Sequence, residues 1–471
     1  MKGFESESTA LIAAMVVIYM VIVSWLTYRF RAKTSSDFLV AARSVPALVI
    51  GVLMMSEFIA PKSTIGVAQA AFESGMAAIW AVVSVSLGFA LFGWVLARRL
   101  YTSGEYTISA AIAKKYGRST QLTISLIMIY ALLLVNLAFY ISGAAALSSV
   151  FHMSLTSASI LIAAVSTLYC IIGGQKSAAY VSLLHTGMKY IGIMIVMGTA
   201  LYMTGGVKPM MEKLPAVYFT WDGKVGLTTI IAWTIASVGS IFSTQYIMQA
   251  ISSLKGPQDV RKACLTAALL ILPVSVALGL IGVGAKVLFP DLKSLYAFPV
   301  FLNHMPPFLA GIVTVSVVAS VLVGVSSVGL ATSALIVRDF YVPARNPTPE
   351  AEFRMSRLLS IPIGFIPLLF VFYVPGVLHL SFFTRALRLS ISVVAVVAFY
   401  LPGFGSNRGA TLGLIAATLT TTAWYVAGDP FGIDDIYIAL VTPLVVMLLE
   451  RAVTHMFGET RALSPVEPDA R

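Results

Sequence analysis

Two opposite formal charges lie close together in the middle of an apolar stretch. Glu57 and Lys62 fall within a run of mainly apolar residues from about 45 to 72, which is long enough to cross a bilayer. Pro61 lacks an N–H and its ring crowds the preceding turn, so a continuous helix is not expected there. The freed carbonyls near Glu57 and Phe58 are tolerated in a membrane only inside protein or beside a wet cavity. A broken helix that carries charge in mid-membrane is typical of a transporter's binding site.

Two arginines in a later apolar stretch point to an anionic solute. Arg385 and Arg388 are three residues apart and therefore share one face of a helix. A guanidinium stays charged and binds a carboxylate through two parallel hydrogen bonds. We therefore predict a binding site for an organic anion that carries more than one carboxylate. The alternative for both arginines is a side chain that extends to the membrane surface.

A third group of polar residues occupies one helical face. Ser182, His185 and Lys189 are spaced at helical intervals, and Lys189 lies about 12 residues into its span, near mid-membrane. Because burial can bring a lysine's pKa towards the physiological range, Lys189 could carry a proton or act as a fixed positive charge. His185 could relay protons. The alternatives are a polar core contact for Lys189 and a satisfied contact between helices for His185.

The intramembrane cations need a partner, a neutral state or water. Each charge at the centre of a bilayer costs roughly 2.5–3.5 kcal/mol, and Lys62, Lys189, Arg385 and Arg388 are four such residues. Glu57 can neutralise only one of them. A structural ion pair between Lys62 and Glu57 is the alternative to solute binding by either residue.

The composition indicates that these residues are carried by membrane helices. The chain has 471 residues, of which 58% are hydrophobic and 11% are charged, whereas a soluble protein carries roughly 25% charged residues. The net charge of +11 favours cytoplasmic loops facing anionic lipid over nucleic acid. Cys170 and Cys264 lie in apolar segments, so neither a disulfide framework nor a metal site is predicted.

Hydropathy windows predict thirteen spans. The first is too long and wrongly flanked to be a cleaved signal peptide. We expect the protein to lie in the cytoplasmic (inner) membrane. The distribution of lysine and arginine predicts that the N-terminus is outside and the C-terminus is in the cytoplasm. The predicted spans are 9–28, 45–72, 75–95, 120–150, 154–173, 177–204, 226–252, 260–289, 306–337, 353–374, 377–401, 409–427 and 434–450.

Four short stretches, in this order and spacing, resemble the sodium:solute symporter family. The first stretch matches the start of that family's first core helix, and the second matches the loop after its second core helix. The third matches the junction between its sixth and seventh core helices, and the fourth matches the end of its eighth core helix. They are 36–46 (SDFLVAARSVP), 104–107 (GEYT) with 115–117 (KYG), 245–249 (QYIMQ) with Lys255 and 260–263 (VRKA), and 339–341 (DFY).

The resemblance implies an all-α LeuT-type fold with two inverted repeats of five helices, whose first and sixth core helices are broken. It implies an extra helix at 1–35, repeats at 36–205 and 206–402, and two helices with a cytoplasmic tail at 403–471. The second break is expected near residues 237–240, where the alternative is close packing of small residues. The solute-binding residues are then expected to be Glu57, Lys62, Ser63, Ser237, Ser240, Arg385 and Arg388.

The resemblance also implies a sodium site, which this sequence alters. The site's two carbonyls fall on Ser56 and Ile59, but its two hydroxyls fall on Val323 and Gly324, which have none. A hard cation needs several oxygens, so the coupling ion is either sodium at an altered site or a proton. The residues expected to take part in coupling are Ser56, Ile59, Ser182, His185, Lys189, Ser326 and Ser327.

These observations predict a secondary transporter that imports an organic anion, driven by a proton or sodium gradient. The alternatives are a sodium-coupled symporter of a neutral or zwitterionic solute and a solute sensor that does not transport. A membrane enzyme is not favoured, because no paired acidic metal motif, acyl-transfer constellation or phosphate loop is present in the sequence. No cofactor other than Na⁺ is predicted, and the expected partners are the solute and the bilayer, with no nucleic acid and a monomeric transport unit.

Overall fold

The computed structural model describes residues 6–373, 377–401 and 403–456. In this part of the chain the secondary structure is helical, with one isolated parallel bridge between Val45 and Leu254. The expectation of an all-α fold is confirmed. The long helices are α1 (Ser6–Arg29), α2 (Ala47–Phe58), α3 (Pro61–Ser74), α4 (Trp80–Val95), α5 (Arg118–Phe151), α6 (Leu155–Thr204), α7 (Leu227–Ser243), α8 (Gln245–Ser252), α9 (Asp259–Leu288), α10 (Pro307–Leu335), α11 (Pro349–Phe365), α12 (Val377–Tyr400), α13 (Asn407–Val426) and α14 (Asp435–Met456).

Shorter helices connect these long ones. A π-helical segment, Ile336–Tyr341, extends α10. The short α-helices are Ser35–Val40, Ala97–Thr102, Ile108–Tyr116, Val207–Lys213 and Val342–Arg345, and the 3₁₀ segments are Ala41–Arg43, Met76–Ile79, Ala216–Tyr218, Ser294–Tyr296, Pro299–His304, Ile366–Tyr373 and Pro430–Gly432. The predicted cytoplasmic tail after residue 456 lies outside the described residues. The boundaries expected for the repeats, 36–205 and 206–402, stay predictions.

The helices account for the expected thirteen spans. Nine helices of the described chain are long and apolar enough to cross a membrane, and two bent pairs each form one broken span. Helix α6 has 50 residues, about 75 Å at 1.5 Å per residue, so it is long enough for two spans. It bends at Gly174, where φ is +78° and a Cβ atom would lie 3.1 Å from the Cα of Phe38. Counting α6 twice and including the 20-residue α13 gives thirteen.

The first predicted helix break is confirmed. Helix α2 ends at Phe58 and α3 begins at Pro61, and the two axes differ by 50°. Between them Ile59 and Ala60 have non-helical backbone angles. Proline is well tolerated at the first position of a helix because the N–H at this position would lack a helical partner anyway. Pro61 therefore prevents α2 from continuing and is the first residue of α3.

A second broken helix is present, but the predicted position of its break was wrong. Helix α7 continues through residues 237–240 to Ser243, and the 50° bend lies at Thr244, before α8. The small residues have another role, because a Cβ atom at Gly239 would lie 3.2 Å from the Cα of Leu389. They let α7 pack closely against α12, which was the alternative considered for this stretch.

The loops rich in basic residues lie together at one face of the protein. Arg43 donates to the carbonyl of Gly104, and Arg99 lies over the ring of Tyr400 at the end of α12. Lys114 pairs with a carboxylate in the same region. We call this side the basic face and the other side the opposite face.

At the basic face the two broken helices are tied together. The N–H of Val45 donates to the carbonyl of Ser253 at 2.9 Å, just before α2 and just after α8. The Gln245 side chain accepts from the N–H of Ile108 at 2.9 Å and donates to the carbonyl of Tyr106 at 3.0 Å. The inner halves of both broken helices are therefore bonded to each other and to the loop after α4.

Asp339 anchors the end of α10 at the basic face. It is buried, and its carboxylate accepts four side-chain hydrogen bonds, of which that from Gln121 measures 2.8 Å. Buried carboxylates are stable when all their acceptor positions are used. The donors are the side chains of Thr107, Ser109, Gln121 and Ser125.

Candidate functional site

Lys189 on the second half of α6 binds the first helix break. Its Nζ donates to the carbonyl of Ser56 at 2.5 Å, to the hydroxyl of Ser56 at 2.7 Å and to the carbonyl of Ile59 at 3.0 Å. An ammonium group has three N–H donors, so all three are used. The carbonyl of Ile59 is available because the N–H of Ser63, its partner in a continuous helix, bonds to Ala60 instead.

Glu57 lies beside this contact without a hydrogen-bond partner. Its side chain is 2% exposed and neither carboxylate oxygen makes a hydrogen bond. Lys189 is within electrostatic range, and the hydroxyl of Ser327 lies beside the carboxylate without good hydrogen-bond geometry. The carboxylate therefore has acceptor capacity that the described residues do not use.

The predicted polar face of α6 divides between two environments. His185 contacts two tyrosines, with Nδ1 2.5 Å from the hydroxyl of Tyr19 and Nε2 3.5 Å from that of Tyr169. Ser182 donates to the carbonyl of Ala179 within its own helix at 2.7 Å. The structure thus shows the alternative considered for His185, a contact that joins helices, while Lys189 reaches the break.

Helix α10 contributes little polarity at the positions where a hydroxyl pair was expected. A Cβ atom at Gly324 would lie 2.8 Å from the ring of Phe139, so this position faces an aromatic side chain. Val323 is buried. One turn further on, Ser326 donates to the carbonyl of Leu322 within the same helix at 2.5 Å.

Lys62 lies at the start of α3 as an ammonium group without a hydrogen bond. The side chain is fully buried and its Nζ has no hydrogen-bond acceptor in the part of the chain that the structure describes. The ammonium lies 5.4 Å from the centroid of the Phe139 ring. The considered ion pair with Glu57 is not formed. The neighbouring Ser63 donates to the carbonyl of Phe58 at 2.6 Å and so satisfies one freed backbone group.

Arg385 is buried rather than extended to the membrane surface. It is 1% exposed and donates to the hydroxyl of Ser237 at 2.7 Å and to the carbonyl of Ala81 at 3.1 Å. Its guanidinium lies 4.6 Å from the centroid of the Phe382 ring, and its Nε has no hydrogen-bond partner. Ser240, also predicted to bind solute, donates to the carbonyl of Ser237 in its own helix.

Arg388 is held by neutral groups at the second helix break. It donates to the carbonyl of Thr384 at 2.8 Å, to the hydroxyl of Thr244 at 2.9 Å and to that of Tyr246 at 3.4 Å. The ring of Tyr246 in turn contacts Phe58 of the first broken helix. Thr244 and Tyr246 were not predicted from the sequence, because neither residue breaks helices or carries charge.

The buried cations have no carboxylate partner among the residues described. Lys62 lies within electrostatic range of both Arg385 and Arg388, so three basic side chains share the region between the two breaks. Ion pairs in the described chain lie elsewhere, such as Lys114–Glu105, Lys176–Asp37 and Arg338–Glu352.

Two buried amides with unused polar atoms lie close by in sequence. Asn136 lies one turn before Phe139 on α5, and Gln249 lies one turn after Tyr246 on α8, so each shares a helical face with a residue of this region. Both amide atoms of each side chain are buried without a hydrogen bond. A polar side chain in the middle of an apolar stretch was the available signal for both residues.

A cavity of about 330 Å³ opens near the start of α12, at the opposite face. Its lining includes Glu73, Asp434, Trp233 and Phe382. The rings of Trp233 and Phe382 stack with centroids 4.8 Å apart, and the guanidinium of Arg385 lies over the ring of Phe382. An aromatic pair therefore separates this cavity from the buried cations.

A contact between a histidine and an aspartate borders the same cavity. His379 lies 3.5 Å from Asp429, which belongs to the loop between α13 and α14. Burial, followed by the charge of Asp434, raises the pKa of Asp429, although His379 acts in the opposite direction.

Comparison with known proteins identifies similarities across most of the chain. A model of the sodium:solute symporter family matches residues 38–416. The chain is 21% identical to sodium/glucose cotransporter 1 of Oryctolagus cuniculus over 78% of its own length and 64% of that protein, so it spans less than two thirds of this relative. It is 22% identical to sodium/proline symporter 2 of Staphylococcus saprophyticus, over 88% of this chain and 85% of that protein.

A solved structure shows the same fold. It is the substrate-bound outward-open state of a Na⁺-coupled sialic acid symporter, with a TM-score of 0.82 and 15% identity over 96% of this chain and 99% of that one. With the two broken helices described above, this similarity confirms the expected LeuT-type architecture.

Proposed function

Since the chain belongs to the sodium:solute symporter family, we propose that it is a secondary transporter that imports a small organic anion. The observation that carries the proposal is the group of three buried cations, Lys62, Arg385 and Arg388, which have no carboxylate partner in the described chain. Buried charges are normally paired or hydrogen-bonded. A bound anion would supply the missing partner in each transport cycle.

The three cations have different proposed roles. Lys62 has three unused donors and Arg385 has an unused Nε, so these two groups would hold the solute's carboxylates. Arg388 spends its donors on Thr384, Thr244 and Tyr246. It would contribute its charge and hold the second break in position.

A zwitterionic solute is the second candidate. The unpartnered carboxylate of Glu57 could accept hydrogen bonds from an amino group. The cavity at the opposite face is lined by Glu73, Asp434 and Asp435, which would disfavour the approach of a solute with only negative charge. A relative such as the sodium/proline symporter is named for a solute of the zwitterionic kind.

We also propose a cytoplasmic membrane location with the N-terminus outside. The clustering of Arg43, Arg99 and Lys114 at the basic face supports this orientation, because cytoplasmic loops carry the excess of lysine and arginine. Import would then run from the cavity at the opposite face to the basic face.

The test is uptake by purified protein in proteoliposomes. Labelled acetate, lactate, succinate and glutamate would be compared with proline and glucose, in the wild type and in Lys62→Met. Loss of one charge-assisted hydrogen bond corresponds to about a 10- to 150-fold weaker interaction. We expect carboxylate uptake to fall by that factor in Lys62→Met and to be unchanged in Lys208→Met, which removes an exposed lysine.

Each outcome distinguishes between the candidates. Uptake of succinate or glutamate that depends on Lys62 supports the anion proposal. Uptake of proline or glucose that is unaffected in Lys62→Met contradicts it. Saturable binding without accumulation or exchange would support the sensor alternative.

A further inference from the structure

The residues at the first break do not fit the sodium ion that the family name implies. The two carbonyls expected to bind sodium, those of Ser56 and Ile59, accept hydrogen bonds from Lys189 at 2.5 and 3.0 Å. The positions expected to supply hydroxyls are Val323 and Gly324, which have none. A hard cation needs a shell of oxygens, and here the shell is incomplete and its centre is already taken by an ammonium group.

Charge adds to this mismatch. A sodium ion at these carbonyls would lie within a few ångströms of a second positive charge in a region of low dielectric, where like charges repel strongly. A Cβ atom at position 324 would meet the ring of Phe139, so the α10 side is filled by apolar packing. The same set of atoms suits a tethered ammonium, because three oxygens receive its three N–H groups.

We propose that the ammonium of Lys189 takes the place of a sodium ion at the first break, so that no sodium binds there and transport does not depend on sodium. This inference rests on the proposed transport function.

The charge beside the break also suits a tethered cation. Glu57 on α2 lies within electrostatic range of Lys189, and helix α10 has no ionisable residue along its length. A carboxylate beside the break favours a positive charge there, and the ammonium of Lys189 supplies this charge without a bound ion.

The first experiment asks whether sodium binds at all and needs no knowledge of the solute. Purified wild-type protein is heated in NaCl, KCl or choline chloride at equal ionic strength, and its unfolding midpoint is measured. A ligand that binds only the folded protein raises this midpoint. We expect the three salts to give the same value, and a rise specific to NaCl would overturn the proposal.

The second experiment measures uptake of labelled carboxylate into proteoliposomes in NaCl, KCl or choline chloride. We expect the wild type to take up carboxylate equally well in the three salts, and uptake that requires sodium would overturn the proposal. Lys189→Met removes the ammonium that holds the break and should lower carboxylate uptake by at least about 10-fold.

The controls separate this proposal from the proposed function. Thr199→Ala removes a hydroxyl that bonds within α6 and should leave carboxylate uptake unchanged. Uptake that is unchanged in Lys189→Met would overturn the role of Lys189. If the wild type takes up no carboxylate, the anion proposal fails, while the salt comparison still decides whether sodium binds.

Discussion

Lys62→Met should make the empty protein more stable while it weakens solute binding. Lys62 is fully buried and its ammonium has no hydrogen-bond acceptor among the described residues. An uncompensated charge at mid-membrane costs roughly 2.5–3.5 kcal/mol, and the contact with the Phe139 ring at 5.4 Å offsets about 0.5–1 kcal/mol of that cost. Methionine has a similar length without the charge. The substitution should therefore stabilise the solute-free protein by about 1.5–3 kcal/mol.

Scanning fluorimetry of the purified protein measures this effect. A change of this size should raise the unfolding midpoint by about 1.5–3 °C. The same variant should show less stabilisation by a transported carboxylate than the wild type shows, because the added ligand has lost a partner. The exposed Lys208→Met should stay close to wild type. A midpoint for Lys62→Met that is equal to or lower than that of wild type, with protein still folded, would refute the view that Lys62 is an uncompensated charge.

Three further predictions follow from other parts of the structure. Asp339→Asn should lower the free energy of unfolding by about 2–4 kcal/mol, because an amide cannot accept from all four donors around it. The control is Asp37→Asn, which removes a 3.9 Å surface ion pair and should have little effect in the same thermal assay. Gly282→Ala should lower the free energy of unfolding by about 1–3 kcal/mol through overpacking, since its Cβ would lie 3.0 Å from the backbone N of Phe72. The control is Gly187→Ala, whose Cβ would meet nothing within 4 Å. Phe382→Ala should remove the aromatic pair. A cysteine placed at Ser237 should then react with a charged thiol reagent faster than it does when Phe382 is present, as measured by mass spectrometry. An unchanged reaction rate would show that the aromatic pair is no barrier.

The sequence predicted the features that depend on strong local signals. Long apolar stretches identified the spans, since a bilayer requires about 20 apolar residues per helix. Pro61 identified the first break, because proline removes a helical hydrogen bond wherever it occurs. Lys189 and the carbonyls of Ser56 and Ile59 were selected by separate observations, and the structure brings them into contact.

The second break could not be positioned from local signals. Thr244 ends α7 although threonine is not a helix breaker, and its hydroxyl both donates to the carbonyl of Ser240 and accepts from Arg388. The bond to Ser240 is local, but the bond from Arg388 is a tertiary contact that a single sequence does not reveal. The family resemblance placed the break near residues 237–240, where the residues are small, but Gly239 packs closely against Leu389 instead.

The partners of the buried polar groups were also beyond the sequence. Helical spacing correctly placed Ser182, His185 and Lys189 on one face. It could not show that His185 meets Tyr19 of α1 while Lys189 reaches α2, because the helices that face α6 depend on the packing of the whole bundle. The roles proposed for these residues stay predictions.

The bond between Val45 and Ser253 has a consequence for release of the solute. It joins the inner segments of both broken helices, and Gln245 fastens the same pair to the loop after α4. Neither segment can move away from the other without leaving polar backbone groups unpaired, so we expect the two segments to move together as one rigid unit. Departure towards the basic face would then be a single cooperative event rather than two independent openings.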